Sequence, residues 1–213
     1  EITTRLVGSE MCIRDSYDTG EYLFAENAFV PVAPASMSKL MTVYVLFSKL
    51  KDGTLSLEDV FSVSENAWRT GGAASGSSTM FLPIGSKVTV ENLIKGIIIQ
   101  SGNDACIVAA ENIAGSEEDF AELMNAKAKE LGLKNSHFVN STGLPHPDHR
   151  MSAEDLARLA QALIRDFPEY YSVFSQKSFT YNNILQGNRN PLLYSMPDAD
   201  GLKTGHTAEA GFC

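Results

Sequence analysis

The chain is short of several things. Three cysteines in 213 residues cannot build a disulfide framework: Cys106 lies in an apolar helical segment, Cys213 is the last residue, and Cys12 falls in an irregular opening stretch. The count leaves the redox compartment open. Basic residues are scarce too, with 17 Lys and Arg against 26 Asp and Glu, a net charge of −9 and a pI near 4.9. No cluster of Lys and Arg interleaves with aromatics, so a nucleic-acid partner is excluded. No apolar run reaches membrane-spanning length. Internal repeats and low-complexity linkers are also lacking. What the chain does have is apolar mass, 44% hydrophobic against 20% charged, enough to bury a substantial core as one large domain or two closely packed lobes.

The first 16 residues, "EITTRLVGSEMCIRDS", show neither a signal-peptide core nor a clean amphipathic period. "VGSEMCIRD" resembles translated sequencing-adaptor read-through, and residues 1–16 are expected to be non-native. Without a native N-terminus, the lack of a signal peptide says nothing about location. From Tyr17 the pattern is coherent. "YDTGEYLFAEN" alternates around a turn at Asp18-Thr19-Gly20 and predicts a hairpin. A short strand "VFSV" and a Gly/Ala/Ser-rich loop over 71–78 follow. Thr89 caps a helix that stops at "SGND", and two helices run from about 104 to 114 and from about 117 to 131. Capping boxes pair Ser116 with Asp119 and Ser152 with Asp155. The second opens a helix that ends before Pro168. The tail turns extended, with "SFTY" and a short strand bracketed by Gly201 and Gly205. The middle is helical and the ends are strands.

The stretch "APASMSKLMTVYVLF" carries the first chemical signal. From Leu40 to Phe47 only Thr42 and Tyr44 hold a polar atom, which predicts a buried helix from about 35 to about 51, opened by Pro34 and stopped by Lys51-Asp52-Gly53. Ser36 and Lys39 then stand one turn apart at its N-terminal end. The helix dipole and burial both disfavour a charged lysine there. A neutral amine beside a hydroxyl is a general base beside a nucleophile. The plainer alternative is an N-cap serine followed by a lysine that reaches water. Ser48-Lys49-Leu50-Lys51 repeats the spacing at a helix C-terminus, where lysines are simply favourable.

Two further motifs decide between these readings. Ser101-Gly102-Asn103 falls at a break between helices, where polar side chains can turn into a cleft, whereas the rival Ser64-Glu65-Asn66 reads as a helix cap. Lys203-Thr204-Gly205 sits on the last strand, where glycine lets another backbone approach. In this order the trio is the pattern of penicillin-binding proteins and class A β-lactamases. Other residues invite plainer roles. "HPDH" (residues 146–149) lies in a proline-broken loop with no third ligand in sight, so no metal site is expected. Cys106 reads as inert packing. His206 serves as a backbone donor rather than a base, and Trp68 with the 71–78 loop borders the cleft.

From residue 17 to 213 the chain resembles the low-molecular-weight penicillin-binding proteins that act as D-alanyl-D-alanine carboxypeptidases, through "PASMSKLMT", "SSTMFLPIG", "LIKGIIIQSGNDAC", "LGLKNSHFVNSTGL", "NRNPLL" and "DGLKTGHT". The resemblance implies an α+β fold of the β-lactamase/transpeptidase type, an antiparallel sheet flanked by a helical lobe with the site between. In it, Ser36 is acylated and neutral Lys39 takes its proton, helped by cationic Lys203. Ser101 relays the proton to the leaving nitrogen, and Asn103 orients Lys39 and the substrate amide. The N–H groups of Ser36 and His206 hold the oxyanion, and Lys203 and Thr204 take the terminal carboxylate beside Gly205. No cofactor is implied. Peptidoglycan stem peptides are the expected substrate and β-lactams covalent inhibitors, at the extracytoplasmic, periplasmic face of the inner membrane. Membrane attachment is expected only through a C-terminal anchor absent from this chain, and residues 17–213 are expected to form an incomplete domain whose last strands are missing. The rivals are a β-lactamase and a catalytically silent wall-binding module. Glu122-Leu123-Met124-Asn125 mimics the E-x-x-N of the first, but inside an amphipathic helix.

Overall fold

A computed structural model of the chain describes residues 12–207 and 211–212. Residues 1–11 of the segment expected to be non-native, and Cys213, lie outside the described residues. Strand β1 (Cys12–Asp15) pairs antiparallel with β2 (Tyr22–Glu26), so the anticipated hairpin takes its first strand from residues 12–15. Gln161 Nε2 donates to Asp15 at 2.6 Å, tying this hairpin to the helical part.

The helix expected from 35 to 51 starts more tightly than a plain α-helix. Ala35–Ser38 is a 3-10 turn, closed by Met37 N donating to Pro34 O at 3.1 Å, and α1 proper is Lys39–Lys51. Ala35 has φ of 48°, so the chain enters from a left-handed residue. Every residue from Lys39 to Phe47 is buried, as a helix without a polar face requires. Gly53, at φ 77°, supplies the stop.

Strand β3 (Val60–Ser62) pairs with β4 (Lys87–Thr89). The loop between them winds through a π turn (Ala67–Gly71) and a 3-10 turn (Ala73–Ser75). Ser64 Oγ accepts from Ala67 N at 2.9 Å, the capping role expected of Ser64-Glu65-Asn66. Thr89 caps α2 (Val90–Lys95), which runs on as a π turn (Gly96–Gln100) and breaks at Ser101. Then come α3 (Asn103–Ala114), α4 (Glu117–Glu130) under Ser116 and α5 (Ala153–Asp166) under Ser152, each cap accepting from the predicted backbone N–H. Pro168 opens a short α6 (Pro168–Tyr171) that the sequence reading left out. Strands β5 (Ser178–Tyr181) and β6 (Ile184–Gly187) form a hairpin over Asn182 and Asn183, both at positive φ. After α7 (Leu192–Ser195), β7 (His206–Thr207) pairs with β8 (Gly211–Phe212).

One expectation needs correction. Residues 201–205 form no strand; the ladder begins only at His206. Gly201 O accepts from Asn190 Nδ2 at 2.7 Å, Lys203 is buried, and Gly205 lies against Met37 and Pro34 of the Ser36 turn. All strand pairs are antiparallel, and among the described residues they pair two by two. The core lies among the helices, where Leu40, Met41, Leu46 and Phe47 of α1 join one cluster with Ile97, Val108, Phe120 and Leu159.

Candidate active site

Ser36 and Lys39 meet because of the tight first turn. A 3-10 turn places residues i and i+3 one above the other, and Lys39 Nζ donates to Ser36 Oγ at 2.8 Å. The amine also donates to the Thr142 carbonyl at 2.5 Å. Lys39 is 1% exposed, whereas Ser36 keeps partial access to solvent. Burial, and then the positive charge of Arg189, bring the Lys39 ammonium down from 10.5 to about 8, although Cys106, Glu117 and Asp104 pull the other way.

The second motif forms the break after α2. Ser101 sits at φ 63°, and Gly102 N donates back to Gly96 O at 2.9 Å. A side chain at 102 would run into Asp104 Oδ1 and Met80 N, at 2.9 and 3.1 Å, so only glycine fits between the two polar residues. Asn103 Nδ2 donates to Ser77 Oγ at 2.9 Å. Ser101 Oγ and Asn103 Oδ1 are buried without a hydrogen-bond partner. The segment is anchored by Asp104, which the sequence reading did not single out. Its buried carboxylate accepts from Thr79 Oγ1 (2.6 Å), Met80 N (2.9 Å), Leu82 N (3.0 Å) and Ala105 N (2.9 Å), locking residues 79–82 to the start of α3.

The third motif lies over the first. A Cβ at Gly205 would meet Met37 Cγ, Met37 N and Pro34 O at 3.0 to 3.3 Å, so the backbone at Gly205 is packed on the Ser36 turn. Lys203 is 8% exposed and donates to Thr204 O at 2.8 Å. Burial, then repulsion by Lys39 and Arg189, bring it down to about 7. Three cations therefore crowd one place. The third, Arg189, was quoted within "NRNPLL" but given no role; its Nη1 donates to Ser78 Oγ at 2.6 Å. Thr204 and His206 stand on the same segment, and His206 is exposed.

A fourth element completes the surroundings: the loop at residues 140–143. Asn140 Oδ1 accepts from Thr142 N, Thr142 Oγ1 and Gly143 N at 3.2, 3.0 and 2.8 Å, curling the chain so that Thr142 O faces Lys39. Gly143, at φ 79°, lies against Ala35 O and Ser38 Oγ, with no room for a Cβ. Nothing in the sequence marked this loop beyond its place in the resemblance. His149, behind it, is 1% exposed and held down to about 4, first by burial. Among the described residues no group of three or more His, Cys, Asp or Glu is placed to hold a metal ion. Cys106 is wholly buried, and burial pushes its thiol up to about 12. Glu122 is exposed on α4, while Met124 is fully buried.

This mixture of helices and antiparallel strand pairs, with a serine bonded by a buried lysine, has the fold of penicillin-binding proteins and transpeptidases. Penicillin binding protein 5 from Haemophilus influenzae matches it with a TM-score of 0.92 at 39% identity, over 100% of this chain and 61% of that one. Penicillin binding protein 6B from Escherichia coli matches with a TM-score of 0.88 at 44% identity, over 95% and 64%. The sequence profile of the D-alanyl-D-alanine carboxypeptidase family matches residues 6–213. The chain belongs to that family. It is 48% identical over 198 residues to D-alanyl-D-alanine carboxypeptidase DacC of Escherichia coli, covering 92% of this chain and 50% of the relative. It thus spans about half the length of the curated relatives it matches.

Proposed function

We propose that the protein is a serine-type D-alanyl-D-alanine carboxypeptidase that removes the terminal D-alanine of peptidoglycan pentapeptide stems through an acyl-enzyme on Ser36. The observation that carries this reading is the 2.8 Å bond between Ser36 Oγ and a buried Lys39 whose ammonium is brought down to about 8. Neutral Lys39 takes the Ser36 proton as Oγ attacks the penultimate carbonyl. The N–H groups of Ser36 and His206 receive the oxyanion. The unpartnered Ser101 Oγ relays the proton held by Lys39 to the leaving D-alanine nitrogen as the C–N bond breaks, which returns Lys39 to its neutral form, and the unpartnered Asn103 Oδ1 accepts from the substrate amide. Lys203, with Thr204, holds the terminal carboxylate, and Gly205 lets that segment lie close. Neutral Lys39 then takes a proton from the water that attacks the ester and passes it to Ser36 Oγ as the C–O bond breaks, restoring both the hydroxyl and the neutral amine. The reaction uses no cofactor. Stem peptides in the extracytoplasmic, periplasmic wall are the substrate, and β-lactams acylate the same serine.

Mass spectrometry after incubation with penicillin, together with D-alanine release from a D-Ala-D-Ala peptide, tests the reading on the full-length protein. The expected result is a penicilloyl adduct on Ser36 and catalytic D-alanine release. An adduct elsewhere, no adduct, or rapid penicillin turnover without D-alanine release each overturns it.

A further inference from the structure

Glu117, the first residue of α4, has a connection that its place on the helix does not explain. An acidic residue in a first turn ordinarily complements the helix dipole and faces water. Here the cap is already made by Ser116, whose Oγ accepts from Asp119 N at 3.0 Å. Glu117 instead reaches across to the 140–143 loop. Its Oε1 accepts from Ser141 N at 3.2 Å and from the Ser141 hydroxyl. Ser141 is itself fully buried, and its carbonyl accepts from Thr42 Oγ1, one turn beyond Lys39, at 2.7 Å. The carbonyl of the next residue is the Thr142 oxygen that receives Lys39 Nζ. Ser141 is thus held from α4 through its N–H and hydroxyl and from α1 through its carbonyl, directly before the carbonyl that receives the Lys39 amine.

We infer that Glu117 is a positioning residue of the Ser36–Lys39 pair, fixing the Thr142 carbonyl through Ser141 and placing a carboxylate within electrostatic reach of the same amine. The inference rests on the proposed acylation of Ser36. Two effects follow and can be separated. Geometrically, the clamp keeps Nζ aimed at Ser36 Oγ, and small displacements of a base cost rate steeply. Electrostatically, the carboxylate favours the charged amine. The other groups facing Lys39 are Cys106 and Asp104 from α3, His149 from the loop, Arg189 after β6, and Lys203 from residues 201–205. Of these, Asp104 is committed to four donors, whereas Glu117 uses one oxygen on Ser141.

The test compares Glu117→Gln and Glu117→Ala in the full-length protein, by second-order acylation with a fluorescent penicillin across pH, with each preparation normalised to its folded fraction. Gln keeps an acceptor for Ser141 and removes the charge: the pH optimum of acylation should move to lower pH, with a maximal rate within about twofold of the parent. Ala removes the clamp: the maximal rate should fall about tenfold. A purely structural role would lower the melting temperature and leave the optimum in place. An unshifted optimum in Glu117→Gln overturns the inference, whatever Glu117→Ala does, and Gln carries the decision if Ala fails to fold. Failure of the parent to label on Ser36 would instead refute the proposed function, so the two failures are told apart.

Discussion

The two buried lysines make the pH dependence of acylation a sharp test. Catalysis as proposed needs Lys39 neutral and Lys203 charged in the same molecule, and kcat/KM-type constants report the free enzyme. With Lys39 at about 8 and Lys203 at about 7, the pair sheds its two protons over a range centred on about pH 7.5, and the population holding Lys39 neutral and Lys203 charged peaks there as a minority of molecules. At about pH 6 the pair is almost wholly doubly protonated and at about pH 9 almost wholly unprotonated, so the rate should fall about sixfold on either side of the optimum. Ordinary solvated lysines near 10.5 would give no such maximum near neutrality. Lys203→Arg tells the limbs apart. Arginine stays charged throughout, so the alkaline fall should vanish and leave only the rise belonging to Lys39. The assay is stopped-flow acylation by a fluorescent penicillin at constant ionic strength. A flat profile from about pH 6 to about pH 9, or an alkaline fall that persists in Lys203→Arg, would refute the assignment of roles.

Two further outcomes concern stability. Asp104→Asn turns a carboxylate that accepts four hydrogen bonds into an amide whose NH₂ faces donors, and urea melts should show a loss of about 3 kcal/mol. His149 is held at about 4 against an ordinary 6.5, so it favours the folded state fully above about 6.5. That stability drains away as pH falls towards about 4, by up to about 3 kcal/mol, and His149→Gln should flatten the acid side of the stability–pH curve.

How much of this could be read from the chain depends on the range of each interaction. Thr89, Ser116 and Ser152 cap helices through bonds to residues three positions on, so their signals are written locally and were legible. Ser36 and Lys39 were legible for the same reason, though not the 3-10 turn that aligns them, because it follows from the left-handed Ala35 and nothing about an alanine announces that. Residues 201–205 misled: glycines bracketing a short extended run look like a strand, yet pairing is settled by neighbours, and here Asn190 takes the Gly201 carbonyl while Gly205 lies against the Ser36 turn. The hairpin of β5 and β6 was missed although Asn182-Asn183 is a turn signal. Arg189, Glu117 and the Thr142 carbonyl reach the site across long sequence separations, and no local pattern encodes that.

The two serines of the site share a backbone habit: Ser36 follows a left-handed alanine, and Ser101 is itself left-handed. Each departure costs about 1 kcal/mol in a residue that carries a Cβ. A directed-evolution screen for heat resistance would therefore be drawn to these positions, since glycine at 35 or 101 adopts the same angles without that strain. Glycine at 101 discards a hydroxyl, and glycine at 35 removes a buried side chain beneath Ser36 and loosens the turn that aims it. Thermal selection without a wall substrate or a β-lactam in the assay would thus enrich variants that melt later and label less. For this protein, toughness and reactivity are set against each other at two alpha carbons.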